Sequence, residues 1–263
     1  MSREDRGKED HPVISRIHHA GIVVKRLHDA YRFYRDVLSL PLVREAEVRD
    51  QGVRAALLSA GDTEVELLEP IAPGTGVARF LERRGEGLHH VCFETPDVSR
   101  MLADLASRGV ELIDRTPRQG LAGTIAFLHP RACDGVLCEL ATPPAGHADA
   151  PASPLRFKRL VVGSTDVTKT SAKFQDLFGL GTTQINGGPR AMLAIGRSAI
   201  LIVPAAEVGG TEGMVALSFV SDAFQDLKRA LDREGVQALR GTGEVTIEPV
   251  SSHGVHLHIS RYE

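Results

Sequence analysis

The chain has 263 residues, 42% of them hydrophobic and 25% charged, with a formal net charge of −3. That describes a folded protein of one or two domains and offers no basic surface for nucleic acid. No run of about 18 apolar residues is present to span a bilayer. Three cysteines imply no disulfide framework, so a cytoplasmic protein is expected, with neither nucleic acid nor membrane as partner.

Residues 1–13 are charged and lack an apolar signal core, so they read as a disordered tail. Residues 15–24 read as a strand. From Asp29 to Leu38, apolar residues fall at helical spacing (Ala30, Phe33, Tyr34, Val37, Leu38). Strand-like runs follow at 53–60 and 64–70. The order then repeats: a strand at 91–94, an amphipathic helix over 98–109 stopped by Gly109, and strands at 124–127 and 136–140. Each unit reads βαβββ, with one strand per unit poorly marked. The stretch from Thr142 to Pro154 is rich in proline and alanine and reads as a linker. Expected boundaries are 14–142 for the first domain, 143–154 for the linker and 155–263 for the second domain. The second domain repeats the scheme, with strands at 160–162, 200–202, 215–219 and 255–259 and helices over 171–180 and 223–235.

Within the first domain, His19 follows Ile17-His18 and His90 follows Leu88-His89, whereas Glu66 and Glu139 sit in later strand-like runs. The histidines are 71 residues apart (19 to 90) and the glutamates 73 (66 to 139). A near-constant period of this size marks a duplicated supersecondary unit, each copy offering one imidazole and one carboxylate. Two imidazoles and two carboxylates suit a divalent cation with open positions, hence chemistry on a substrate oxygen. Strand alternation points His18 and His89 to the other face, in structural roles. Aligned by eye, the second domain has Arg159, Leu201, Ala216 and His258 at the four ligand places; three of these cannot bind a metal. The second domain reads as a copy without a metal site.

The pattern resembles the vicinal oxygen chelate superfamily, which includes glyoxalase I, extradiol dioxygenases and methylmalonyl-CoA epimerase. Residues 15–142 look most like the epimerase family. The matching runs are Arg16 to Val24, Glu66 to Pro70, Gly87 to Val91 and above all Phe127 to Leu140 (FLHPRACDGVLCEL), with Val77 to Leu81 also family-like. The resemblance implies an α+β fold of paired βαβββ units in two tandem vicinal-oxygen-chelate-type domains. It implies one divalent ion held by His19, Glu66, His90 and Glu139, with Co²⁺ first and Mn²⁺, Ni²⁺, Zn²⁺ or Fe²⁺ as alternatives. It implies a metal-dependent epimerase or isomerase of an acyl-CoA, an isomerase that abstracts a proton α to a chelated carbonyl, working on a small-molecule substrate as a monomer or homodimer. Bacterial relatives often carry a catalytic Glu three residues after the Gly of a Gln-Gly-Val run; here Gln51-Gly52-Val53 leads to Ala55. Glu139 is then one expected base, with Glu64, two residues from Glu66 on the same strand face, or Glu45 or Glu47 as the second. One-base chemistry gains weight. The rival readings are an extradiol-type dioxygenase, a glyoxalase-type lyase and a non-enzymatic small-molecule binder. Glu66 as a fourth ligand argues against the dioxygenase, and an intact ligand set argues against the binder. Arg83-Arg84 reads as a solvated helix end, with phosphate contact as the alternative.

Overall fold

The computed structural model describes residues 14–146, 150–185 and 188–262. The expected tail over 1–13 lies outside these residues, as do positions 147–149 of the linker stretch.

The first half builds one eight-stranded sheet from β1 (Arg16–Val23), β2 (Leu42–Val48), β3 (Val53–Ala60), β4 (Thr63–Pro70), β5 (Gly87–Glu94), β6 (Arg118–Gly120), β7 (Gly123–Leu128) and β8 (Cys138–Thr142). The strand order is β2-β3-β4-β1-β5-β8-β7-β6. The centre is the antiparallel β1·β5 pair, and each of these strands pairs in parallel with the last strand of its own unit, β4 or β8. The sheet is therefore two copies of one motif back to back. The poorly marked strands are the edges β2 and β6. β2 is mostly exposed, so it carries little of the alternation that betrays a strand.

The second half repeats the plan with β9 (Leu155–Ser164), β10 (Gly181–Gln184), β11 (Ala191–Ile195), β12 (Ser198–Pro204), β13 (Gly213–Ser221), β14 (Ala238–Arg240), β15 (Glu244–Ile247) and β16 (His256–Ser260). Their order, β10-β11-β12-β9-β13-β16-β15-β14, is that of the first sheet.

Three of the helices begin at side-chain caps. α2 (Gly76–Arg84) starts where Thr75 Oγ1 accepts from the Ala78 amide at 3.1 Å, and it stops at Gly85. α3 (Val98–Ser107) is capped by Asp97 and buries Val98, Met101, Leu102 and Leu105, one stripe of a 3.6-residue period. α4 (Val167–Phe178) is capped by Asp166 and ended by left-handed Gly179. α5 (Phe224–Arg233) closes the second half. The expected helix over 29–38 is α1 (Leu27–Tyr31) running into a π-helical turn, Arg32–Val37, where the Leu38 amide reaches back to the Phe33 carbonyl at 2.9 Å. Among the described residues no helix is long and apolar enough to cross a membrane.

The two faces of the first sheet are used differently. Alternate residues such as Ala56, Leu58, Val65 and Leu67 join a core that runs continuously into the second half. There the Phe93 and Phe178 rings lie 4.7 Å apart. The opposite set, Val53, Ala55, Leu57 and Leu68, packs under Val77, Phe80 and Leu81 of α2. That covered face carries the candidate site.

Candidate metal centre

His19, Glu66, His90 and Glu139 come from β1, β4, β5 and β8, the four central strands, and all are buried, at 1%, 6%, 2% and 4% exposure. Their side chains converge. His19 Nε2 lies 2.9 Å from His90 Nε2, 2.9 Å from Glu139 Oε2 and 3.5 Å from Glu66 Oε2. His90 Nε2 lies 3.1 Å from Glu139 Oε2 and 3.3 Å from Glu66 Oε2. Donors about 2.0–2.2 Å from one ion are about 3 Å apart when adjacent in its coordination sphere, so this spacing fits a single cation. Burying two carboxylates and two imidazoles together costs several kcal/mol per ion unless the charges are matched, which marks a functional cluster rather than a stabilising one.

Within the cluster, the His90 and Glu139 charges favour each other against burial. Burial works against a charged His90, but hydrogen bonds and the charges of Glu139 and Glu66 outweigh it and raise the imidazole to about 9. Burial likewise pushes Glu139 up, yet His19 and His90 hold its carboxyl well below the usual range. A cation offers the same compensation to the same four groups. A small pocket, about 20 Å³, sits at the cluster and is lined by Glu66, His90 and Glu139 together with Ala55, Gln51 and Phe127. It is large enough for about one water-sized particle.

The neighbouring histidines depart from strand alternation. Ile17 pairs with Phe93 and His19 with Cys92, so His18 is the extra residue of a bulge. On β5, His90 pairs with Gly21 and Leu88 with Ile22, so His89 bulges in the same way. Each bulge turns the first imidazole of its pair back toward the second. His18 Nδ1 lies 3.0 Å from His19 Nδ1, and His89 Nδ1 lies 3.0 Å from His90 Nδ1. An imidazole that offers Nε2 to a metal carries its proton on Nδ1, so His18 and His89 are placed to accept those protons and fix the ring orientations. The expected outward-facing roles of His18 and His89 are thus corrected: an irregular ladder brings both beside the cluster.

Gly21 makes room for it. A Cβ at Gly21 would stand 2.2, 2.4 and 2.8 Å from the Cε1, Nδ1 and Nε2 atoms of His90.

Residues 18–127 match the model of the Glyoxalase/Bleomycin resistance protein/Dioxygenase superfamily. An uncharacterized protein of Bacillus subtilis is 43% identical over 131 residues, 49% of this chain and 94% of that protein. The mitochondrial methylmalonyl-CoA epimerase of Mus musculus is 33% identical over 137 residues, 51% of this chain and 77% of that enzyme. The chain belongs to the vicinal oxygen chelate superfamily. A mutant of 4-hydroxymandelate synthase from Streptomyces coelicolor covers 94% of this chain and is itself covered to 92%, with a TM-score of 0.68. At 18% identity this likeness is one of fold: two tandem vicinal-oxygen-chelate-type domains.

Strand register places the second half of this superfamily member against the first. Arg159 pairs with Ser218 as His19 pairs with Cys92, and Val161 pairs with Ala216 as Gly21 pairs with His90. Leu201 lies opposite Val161 as Glu66 lies opposite Gly21, and His258 lies opposite Ser218 as Glu139 lies opposite Cys92. The histidine place is now Ala216, and the glycine place that cleared the ring is Val161. Among the described residues, the groups of three or more His, Cys, Asp or Glu side chains close enough to share an ion lie in the first half alone.

The other carboxylates considered as bases stand apart from the pocket. Glu64 is buried, but it lines a different cavity between the halves, with Arg16 and Arg156. Its Oε2 sits 3.2 Å from His18 Nδ1, and burial raises its carboxyl against the pull of Arg16 and His19. Although the 3.2 Å separation is short, that oxygen accepts no well-aligned hydrogen bond; this agrees with an Nδ1 lone pair on His18 already engaged by His19. Glu45 accepts from the Tyr31 hydroxyl at 2.6 Å and Glu47 from Arg54 at 3.0 Å. Both are exposed, and they alternate with Ala46, which pairs with the pocket-lining Ala55. Within the pocket, the ionisable side chains are Glu66, His89, His90 and Glu139.

Proposed function

We propose that the first half is a metal-dependent isomerase of epimerase type, acting on an acyl-CoA whose α-carbon lies between a thioester and a carboxylate. The observation that carries this reading is the convergence of two buried imidazoles and two buried carboxylates, three of the four lining one pocket. The similarity to proteins named methylmalonyl-CoA epimerase supports the substrate class. His19, Glu66, His90 and Glu139 are the proposed ligands of one divalent ion, with His18 and His89 holding the imidazoles in register. A bound dication supplies positive charge where a carbonyl oxygen becomes negative, which acidifies the neighbouring C–H. The apolar wall of Val53, Leu68, Val77 and Phe127 excludes water from the reacting carbon. Glu139, which lines the pocket beside the donors, is the proposed proton acceptor.

Ala55 leaves the opposite wall without a carboxylate, and Glu64, Glu45 and Glu47 do not replace it. Proton removal is therefore expected to be faster than inversion. The test is the fate of the α-proton. Metal-loaded protein is incubated with methylmalonyl-CoA in D₂O, following deuterium uptake and configuration separately. Uptake that outpaces inversion is the expected result. No uptake by protein shown to hold one ion per chain would overturn the assignment.

A further inference from the structure

Beside the pocket lies a second, larger cavity of about 420 Å³. One wall is the solvent side of α2 with Arg79, Phe80, Arg83 and Arg84; the other is the Thr211–Met214 loop of the second half. Near its floor, Gly135 and Gly213 bring the two halves together, a Cβ at Gly213 falling 3.4 Å from the Gly135 carbonyl oxygen. His89 lines both this groove and the pocket at the metal cluster, so its ring is the partition between them.

The charge of the groove is one-sided. Three guanidinium groups face a single carboxylate, Glu212, and that one accepts a 2.6 Å hydrogen bond from Thr165. None of the three arginines pairs with a carboxylate among the described residues. Arg79 donates to the Gly74 carbonyl, and Arg84 lies 5.9 Å over the Phe80 ring. Other surface arginines on this chain, such as Arg26, Arg35 and Arg54, do pair with a carboxylate. Three unmatched forks within two helical turns, facing a cleft, form a site suited to phosphate oxygens.

We propose that this groove binds the phosphorylated tail of the substrate, a diphosphate of the kind coenzyme A carries, while the acyl end passes His89 to reach the donors. The proposal rests on the acyl-CoA reading above and adds a role for the second half: its loop forms the far wall, which the half-length relatives do not have in the same chain. Arg83 and Arg84 also sit at the helix C-terminus, where positive charge is favourable in any case. That contribution needs no groove and predicts no ligand preference, so the two roles separate by experiment.

The test compares ligands with and without the phosphorylated nucleotide end, and isolates the share carried by charge. Calorimetric binding of coenzyme A and of pantetheine is measured on the full chain with metal bound. The charge-neutral triple variant Arg79→Gln, Arg83→Gln, Arg84→Gln is then measured alongside. These side chains are exposed, whereas Val77 and Ala78 hold α2 to the sheet, so the variant is expected to fold, as circular dichroism will report. Coenzyme A should bind at least tenfold more tightly than pantetheine, the difference should shrink with added salt, and the triple variant should erase it. Equal binding of the two ligands by the native chain, or a preference that survives the triple variant, would overturn the proposal. Phosphate-dependent binding without α-proton exchange would retain the groove and reject the isomerase reading; exchange without phosphate preference would do the reverse.

Discussion

The hydroxyl of Tyr34 in the first half donates a 2.9 Å hydrogen bond to the main-chain carbonyl of Ser252 in the second. Both residues are fully buried, and the Tyr34 hydroxyl is held protonated by that burial. Tyr34→Phe leaves the carbonyl only the 3.4 Å bond from the Val255 amide, which costs about 1 kcal/mol. Chemical denaturation should show this loss as a lower midpoint in a single transition, because the core is continuous across the halves. Two separated transitions in the native chain would contradict the shared core.

The same continuity makes the second half a covering element for the first. Phe93 packs on Phe178, Arg108 donates to Asp176 at 2.7 Å, and Asp134 accepts from Thr170 and Lys173. Truncation after Thr142 uncovers Phe93 and the first-half side of the shared core, and the fragment is expected to aggregate or to self-associate. A soluble, monomeric fragment with full activity would show that the second half is dispensable.

Gly21→Ala should abolish metal binding while leaving the fold intact. Its Cβ meets the ring of His90 rather than a flexible chain end. Overpacking of this kind costs roughly 1–3 kcal/mol, so the protein should still fold. Metal content by mass spectrometry, with circular dichroism as the folding control, decides the matter; a fully loaded variant would refute the close fit of Gly21 and His90.

His18→Phe and His89→Phe keep a ring in each bulge but remove the acceptor for the ligand histidine. Each should weaken metal affinity by about 10–100-fold, the usual effect of removing an outer hydrogen-bond partner. Chelator competition measures this directly. Unchanged affinity in both variants would mean that the Nδ1 contacts do not orient the ligands.

The tie through Asp134 sets a pH dependence. Burial raises its carboxyl, but hydrogen bonds from Lys173 and Thr170 outweigh it and lower it from 3.8. A depressed carboxylate adds stability above its unfolded value and loses it as pH falls through the folded one, here below about 4. Asp134 also sits in left-handed backbone at φ 46°, which asparagine tolerates. Asp134→Asn should therefore fold, lose some stability at neutral pH and show a flatter fall between pH 5 and about 3. Thermal unfolding across that range, compared with the native chain, provides the check.

The spacing of His19, Glu66, His90 and Glu139 was legible in the sequence because duplication repeats a ligand at a fixed strand position. The degenerate second half was legible for the same reason, through Arg159, Leu201, Ala216 and His258. The roles of His18 and His89 were not. Alternation assumes a regular ladder, and the bulges that turn these rings are properties of the β1·β5 pairing rather than of either strand. The arginine groove was equally hidden. Arg83 and Arg84 read as a solvated helix end until the Thr211–Met214 loop, more than a hundred residues away in sequence, supplied the opposite wall. Glu64 shares a strand face with Glu66 but lines a different cavity, a placement that strand periodicity does not reveal.

Gly254, at φ 80°, packs so closely on the first half that a Cβ there would stand 1.9 Å from the Glu86 carbonyl oxygen. Main chain lies against main chain at that crossing, while His253 beside it reaches Glu86 at 3.1 Å. A joint of this kind leaves little room to pivot at that crossing. Access to the pocket beside His90 is then expected to depend on local movement of α2 and the His89 ring, and to respond to substitutions at the ends of that helix more than to stiffening of the linker.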